Sequence, residues 1–232
     1  MDRWFQITNK AEAQAEILLY DEIGGYGITA QDFIAELKDI KSEDINVRIN
    51  SVGGEVYQGF AIYQALKNHP ANINVTVDSL AASIASVIAM AGDKVIMARN
   101  AEMMIHDGQV AIQGDAARLS EVVDTLNRVS DNIASVYAER SGGNPEDWRN
   151  AMKKETWYSA EEAIAAGLAD EIATASPRTA RNVADLSIFN YAGRKFAPAP
   201  AIAARLDDDA SSETNIDMEE LAKALKKGLN IQ

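Results

Sequence analysis

Apolar and polar residues alternate in Ile45-Asn46-Val47-Arg48-Ile49, which places Ile45, Val47 and Ile49 on one face, as in a half-buried strand. Ile73 to Val77 reads as a second strand, and Val95-Ile96-Met97 and Met103-Met104-Ile105 as two shorter ones. Trp4 to Thr8 and Ala15 to Tyr20 read as a short strand pair, joined by the polar Asn9 to Gln14 and followed by a glycine-rich turn at Gly24-Gly25-Tyr26-Gly27. Between these strands the spacing becomes helical. Thr29 starts a helix with Phe33, Ile34 and Leu37 set among charges, and Asp32 three residues on completes a capping pattern. Tyr57 to Asn68 carries Phe60, Ile62, Tyr63 and Leu66 on its apolar side and stops at His69-Pro70, where His69 reads as a surface residue.

The longest periodic segment is Ala116 to Tyr137, with Leu119, Val122, Val123, Leu126, Val129, Ile133 and Val136 forming one apolar stripe. A helix of about twenty residues extends roughly 30 Å, the width of a small domain, so it either packs within its own domain or projects onto another subunit. Ser141-Gly142-Gly143-Asn144-Pro145 breaks it, and Glu146 to Lys154 forms a short helix. Ser159 and Glu162 then make a capping box for a helix that Gly167 closes. Strands alternating with helices predict an α/β fold, its sheet largely parallel with crossover helices.

Beyond about Ala175 the composition changes. Ala197-Pro198-Ala199-Pro200-Ala201 and Asp207-Asp208-Asp209-Ala210-Ser211-Ser212 read as linker, and Met218 to Leu229 as a lone amphipathic helix. The expected organisation is therefore a folded domain over 1–174 and a flexible tail with a short terminal helix over 175–232. Eight basic and eight acidic residues lie beyond Thr174, so the whole net charge of −13 belongs to the first part.

That charge argues against a nucleic-acid surface, which needs clustered Lys and Arg. The absence of cysteine leaves no disulfide framework and no thiolate chemistry, and fits a reducing compartment. No apolar stretch follows Met1-Asp2-Arg3-Trp4 and no run is long enough to span a bilayer, so the reading is a soluble intracellular protein without a membrane partner.

The candidate chemistry centres on Thr76 to Gly92, TVDSLAASIASVIAMAG. A β-branched strand ending near Val77 runs into a block of small residues and then into a helical run from Val87 to Ala91. A serine at the handover from strand-turn to helix N-terminus has its hydroxyl near unpaired backbone N–H groups, where an oxyanion can be held. Ser83 is the candidate nucleophile on this ground. Equally, Ser79, Ser83 and Ser86, at spacings of four and three, describe a small-residue helix face against which another helix packs.

Two further segments bear on the choice. Asn50-Ser51-Val52-Gly53-Gly54-Glu55-Val56 places paired glycines between a strand and a helix, which either brings backbone close to something or simply turns the chain. The pattern is neither G-x-G-x-x-G nor G-K-[ST], so no nucleotide is implied. His106, one of two histidines, ends an apolar run beside Asp107-Gly108, where it is either a hydrogen-bonded half-buried residue or the one plausible general base near neutrality.

INSVGGEVYQG at Ile49 to Gly59, DSLAASIAS at Asp78 to Ser86 and MMIHDG at Met103 to Gly108, with ETWYSAEEAIAAGLADEI at Glu155 to Ile172, together resemble the ClpP serine peptidase family. The resemblance covers roughly Ile45 to Ile172. It implies a ClpP/crotonase-like fold of repeated β-β-α units with a mainly parallel sheet, serine endopeptidase activity without cofactor or metal, and a homo-oligomeric ring. Carried over residue by residue, it makes Ser83 the nucleophile and His106 the base, with the backbone N–H groups of Gly54 and Ile84 as the oxyanion hole. The family's third member is an aspartate where this chain has Glu155, whose extra methylene requires a shifted backbone. Its usual proline before the glycine pair is Val52 here, which predicts a looser turn.

Glu155-Thr156-Trp157 and the tail resemble the ClpP-like proteases of bacteriophage head-assembly modules. That resemblance implies cleavage of scaffold and capsid proteins during head maturation, in the cytoplasm of a bacterial host or inside the phage prohead. The rival within the family is a housekeeping peptidase working with an ATP-driven unfoldase. Outside it stand a crotonase-like acyl-CoA enzyme, against which the presence of both Ser83 and His106 speaks, an inactive assembly scaffold, and a Ser-Lys dyad using Lys94.

Overall fold

A computed structural model describes residues 3–8, 14–24 and 29–173. Most of the Asn9 to Gln14 connection, the Gly25 to Gly27 part of the glycine-rich turn, and the tail expected over 175–232 lie outside the described residues. The strands are β1 (Phe5–Thr8), β2 (Gln14–Tyr20), β3 (Asp44–Ser51), β4 (Asn72–Ala82), β5 (Lys94–Met97), β6 (Glu102–Ile105), β7 (Thr156–Ser159) and β8 (Glu171–Ile172). The helices are α1 (Ala30–Leu37), α2 (Val56–Lys67), α3 (Ile84–Ala89), α4 (Ala116–Ser141), α5 (Pro145–Met152) and α6 (Ala160–Ala165).

One sheet runs β1-β2-β3-β4-β5-β8, with β6 pairing β4 and β7 off that path. It is mainly parallel: only β1 with β2 and β6 with β7 are antiparallel. The segments β1-β2-α1 and β5-β6-α4 are the β-β-α units. Alternation sets the register. Ile17, Val47, Val75 and Val95 lie side by side across four strands, and Leu19, Ile49, Val77 and Met97 form the next row. All eight are 0–1% exposed. Sliding any one strand by a residue would turn its apolar set to the other face, so the pattern itself fixes the pairing. On that other face Asp78 accepts hydrogen bonds from Arg48 Nε (2.8 Å), Arg48 Nη2 (2.5 Å) and the Tyr20 hydroxyl (2.5 Å), which tie β2, β3 and β4 together.

Two expectations need correcting. The central strand does not end near Val77. It continues as β4 to Ala82, because it exchanges partners on one side: Asn74 to Val77 pair with β5, and Leu80 to Ala82 pair with β6. The helix after it begins at Ile84 and not at Val87. The apolar stripe of α4 is also divided. Val129, Ile133, Ala134, Tyr137 and Ala138 are buried, whereas Leu119 (40%) and Val123 (55%) are exposed. The later turns of this helix pack on its own domain, whereas Leu119 and Val123 near its start do not.

Local signals set several boundaries as the sequence implies. Asp32 Oδ2 accepts the Thr29 N–H at 2.8 Å, and Ser159 and Glu162 form the reciprocal capping box of α6. Gly142, with φ 73°, closes α4 in the left-handed region.

Candidate active site

The partner exchange of β4 creates the site. Ala82 of β4 pairs with Met104 of β6, so the residues that follow, Ser83 and His106, leave the carboxyl ends of neighbouring parallel strands. The Ser83 N–H donates to the Met104 carbonyl at 2.9 Å, and His106 Nε2 lies 2.7 Å from Ser83 Oγ. That is hydrogen-bond distance between a hydroxyl and an imidazole across 23 residues of chain. In the antiparallel pair beyond, Ile105 faces Thr156, so continuing the register by one residue sets Glu155 opposite His106. Three strand ends thus deliver the three residues that the resemblance singles out.

Ser83 stands at φ 54° and ψ −130°, a conformation that L-residues other than glycine avoid. It is the N-cap of α3, and the Ile84 N–H is the first of that helix, a position with no intrahelical acceptor. The glycine pair is pressed against this turn. A β-carbon on Gly53 would lie 2.7 Å from Ser83 Cβ and 2.8 Å from the Ala82 carbonyl oxygen, and one on Gly54 would lie 2.1 Å from the Ile23 carbonyl oxygen. Both glycines have positive φ, 99° and 147°. Gly53 is therefore a close approach of backbone to the serine, while Gly54 abuts the Ile23 backbone, so the pair is not merely a turn.

Val52 is the residue before the glycine pair. It packs on a small apolar cluster of Leu80, Ala82, Met104 and Trp157. The polar side is tied as well, by Ser51 Oγ to the Asp21 carbonyl (2.5 Å), the Gly53 N–H to Ser51 Oγ (3.1 Å) and the Ile23 N–H to the Gly53 carbonyl (2.7 Å).

The three serines do not form one helix face. Ser79 is exposed on β4, Ser83 is at the turn, and Ser86 is buried in α3. Ser86 Oγ lies 2.5 Å from the Ser83 carbonyl, 3.2 Å from the Met104 carbonyl and 2.8 Å from the Tyr137 hydroxyl. Carbonyls only accept, so the single Ser86 hydrogen goes to one of them and Tyr137 donates to Ser86. Burial holds the Tyr137 phenol well above its ordinary value, which keeps that donor protonated. The pair bolts the strained turn from beneath.

His106 is half-buried, and burial pushes its imidazole below the ordinary value while the nearby Glu155 charge opposes the shift. The neutral ring that a general base needs is thereby favoured. Glu155 has φ 51°, again in the left-handed region, and its Oε1 accepts a hydrogen bond from Trp157 Nε1 at 3.1 Å. The backbone at this position is thus unusual for a residue other than glycine. Asp147, on α5, is exposed and makes no part of this arrangement. Lys94 pairs with Glu171 at 2.8 Å, and its strand partner Asn74 is nine residues before Ser83, roughly 25–30 Å along β4, so a Ser-Lys dyad is not formed.

Two contacts beside His106 had no signal in the chain read alone. The Gly108 N–H donates to Ser130 Oγ of α4 at 3.0 Å. Arg149 of α5, 8% exposed, donates from Nη1 to Asp107 Oδ2 at 2.9 Å and from Nη2 to Asn127 Oδ1 at 3.0 Å, and its Nε lies 3.1 Å from Asp131 Oδ1. Their partners are separated by tens of residues and meet only in the fold. Among the described residues no group of three His, Cys, Asp or Glu side chains could hold a metal ion, and no helix is long and apolar enough to cross a membrane.

Comparison with known proteins places the chain in a family. The chain is 29% identical over 154 residues to the ATP-dependent Clp protease proteolytic subunit 3 of Streptomyces coelicolor, covering 66% of this chain and 70% of that protein. It is 30% identical over 149 residues to the ATP-dependent Clp protease proteolytic subunit of Deinococcus radiodurans, covering 62% of this chain and 73% of that protein. The Clp protease family matches residues 1–176, a span that takes in every strand and helix around Ser83 and His106, and the chain belongs to that family.

Proposed function

We propose that this Clp-family peptidase is a serine endopeptidase in which Ser83 attacks the scissile carbonyl. His106 takes the Ser83 proton through Nε2 and returns it to the leaving amine. Glu155 stabilises the imidazolium, and the Gly54 and Ile84 N–H groups hold the oxyanion. The observation that carries this reading is the 2.7 Å contact of Ser83 Oγ with His106 Nε2 at a strained turn against the glycine pair. A crotonase-like acyl-CoA enzyme has no use for such a contact.

Its substrates, on this proposal, are scaffold and capsid proteins of a bacteriophage head. Glu155-Thr156-Trp157 and the linker-like composition beyond Ala175 support that choice. The names of the two relatives favour the second reading, a housekeeping peptidase fed by an ATP-driven unfoldase. Assembly into a ring is part of both. The exposed Leu119 and Val123 on α4, with Val110 and Ile112 in the segment before it, are the apolar surface it would bury. Co-expression with scaffold and capsid proteins decides between the readings. Cleavage by the wild type and not by Ser83→Ala, with no ATPase present, supports the head-maturation role. Cleavage that requires an added unfoldase supports the other.

A further inference from the structure

We propose that Arg149 is a positioning residue for His106, acting through Asp107, and this rests on the reading of His106 as the base. Asp107 is the residue directly after His106, and its Oδ2 accepts from Arg149 Nη1 at 2.9 Å. The same guanidinium donates from Nη2 to Asn127 Oδ1 and forms an ion pair with Asp131, one helical turn further along α4. One planar fork therefore pins the segment that carries the base to two helices at once. The Gly108 N–H bond to Ser130 Oγ fixes the next residue to the same helix. Without the fork the segment after β6 loses its tie to α5, while the His106 ring must stay within hydrogen-bond reach of Ser83 Oγ.

The electrostatics give this arrangement a signature. Asp107 faces Arg149 and Lys153 from the α5 side and Asp131 from α4, while His106 feels the Glu155 charge. Removing the Arg149 cation leaves the Asp107 charge, one residue from His106, with Lys153 as its remaining cationic neighbour. An added negative charge raises the base's pKa, so the acid limb of the rate profile moves to higher pH.

The test is the rate at which a fluorophosphonate labels Ser83 in the full chain, measured across pH for wild type, Arg149→Met, Arg149→Lys, Asp107→Ala and the double variant Arg149→Met/Asp107→Ala. Misplacing a reacting group by about 1 Å costs on the order of 10² in rate. Arg149→Met should therefore label at least tenfold more slowly, with its acid limb shifted up. Arg149→Lys should return the limb towards wild type without restoring the rate, because a lysine supplies the charge but not the fork. Asp107→Ala should slow labelling as much as Arg149→Met, and the double variant should be no slower than either.

A purely structural Arg149 would reduce the labelled fraction equally at every pH and leave the limb in place, which overturns the proposal. So does labelling of Asp107→Ala at the wild-type rate, a result readable even if Arg149→Met does not fold, or a double variant whose loss is the product of the single losses. Wild-type protein that is not labelled at Ser83 removes the underlying reading and this proposal with it, whereas labelled wild type with unaffected variants removes this proposal alone.

Discussion

Gly53 and Ser83 lie so close that a β-carbon on the glycine would stand 2.7 Å from that of the serine. The contact brings the end of β3 onto the turn after β4, and a φ of 99° at Gly53 makes the backbone costly for any other residue. Gly53→Ala should therefore lose about 1–3 kcal/mol of stability from backbone strain alone and displace the candidate nucleophile. Thermal unfolding and peptide hydrolysis measured together check this. A variant as stable and as active as wild type would show that the glycine pair is an ordinary turn.

Ser83 itself stores strain, with φ 54° and ψ −130°. Ser83→Ala and Ser83→Gly should both be inactive, since a triad without its nucleophile loses on the order of 10⁴ or more in rate. They should differ in stability, because glycine relieves a strain of about 1–3 kcal/mol at a cost of about 0.5–1 in backbone entropy. Ser83→Gly should thus melt a few degrees above Ser83→Ala. Equal melting temperatures would mean that the turn is not strained.

Burial holds the His106 imidazole below the ordinary histidine value of about 6.5, with Glu155 opposing the shift. A base acts when neutral, so the acid limb of kcat/KM should lie below that value. The linkage has the matching sign. The unfolded chain takes up this proton first, so the contribution to stability is intact above the unfolded pKa and is lost as pH falls from there towards the folded one. A limb above the ordinary value would mean that charge, and not burial, governs this ring.

Glu155→Gln removes a charge that raises the His106 pKa, so activity should fall and the acid limb should move lower still. Asp147→Asn, an exposed change on α5, should be neutral. Full activity in the first with loss in the second, measured on a chromogenic peptide, would reassign the acid.

Where the chemistry is local, the chain displays it. The alternation in Ile45 to Ile49, the paired glycines and the serine before a helix each depend on neighbours in sequence, and each is where that reasoning puts it. What escapes is set by distant partners. Residues 78–82 are small and polar enough to read as a turn, yet they continue the strand because β6, which begins at Glu102, pairs with Leu80 to Ala82. The α4 stripe is continuous in sequence, but only its second half meets Trp148 and the other buried side chains of the core. Arg149 reads as one more charge on a short amphipathic helix until Asp107, Asn127 and Asp131 converge on it.

The most direct measurement is fluorophosphonate labelling of the wild-type protein followed by peptide mapping of the modified residue. The account predicts a single phosphonylated serine, Ser83, and no labelling of His106→Ala under the same conditions. Modification of Ser79 or Ser86, or undiminished labelling of His106→Ala, would contradict it.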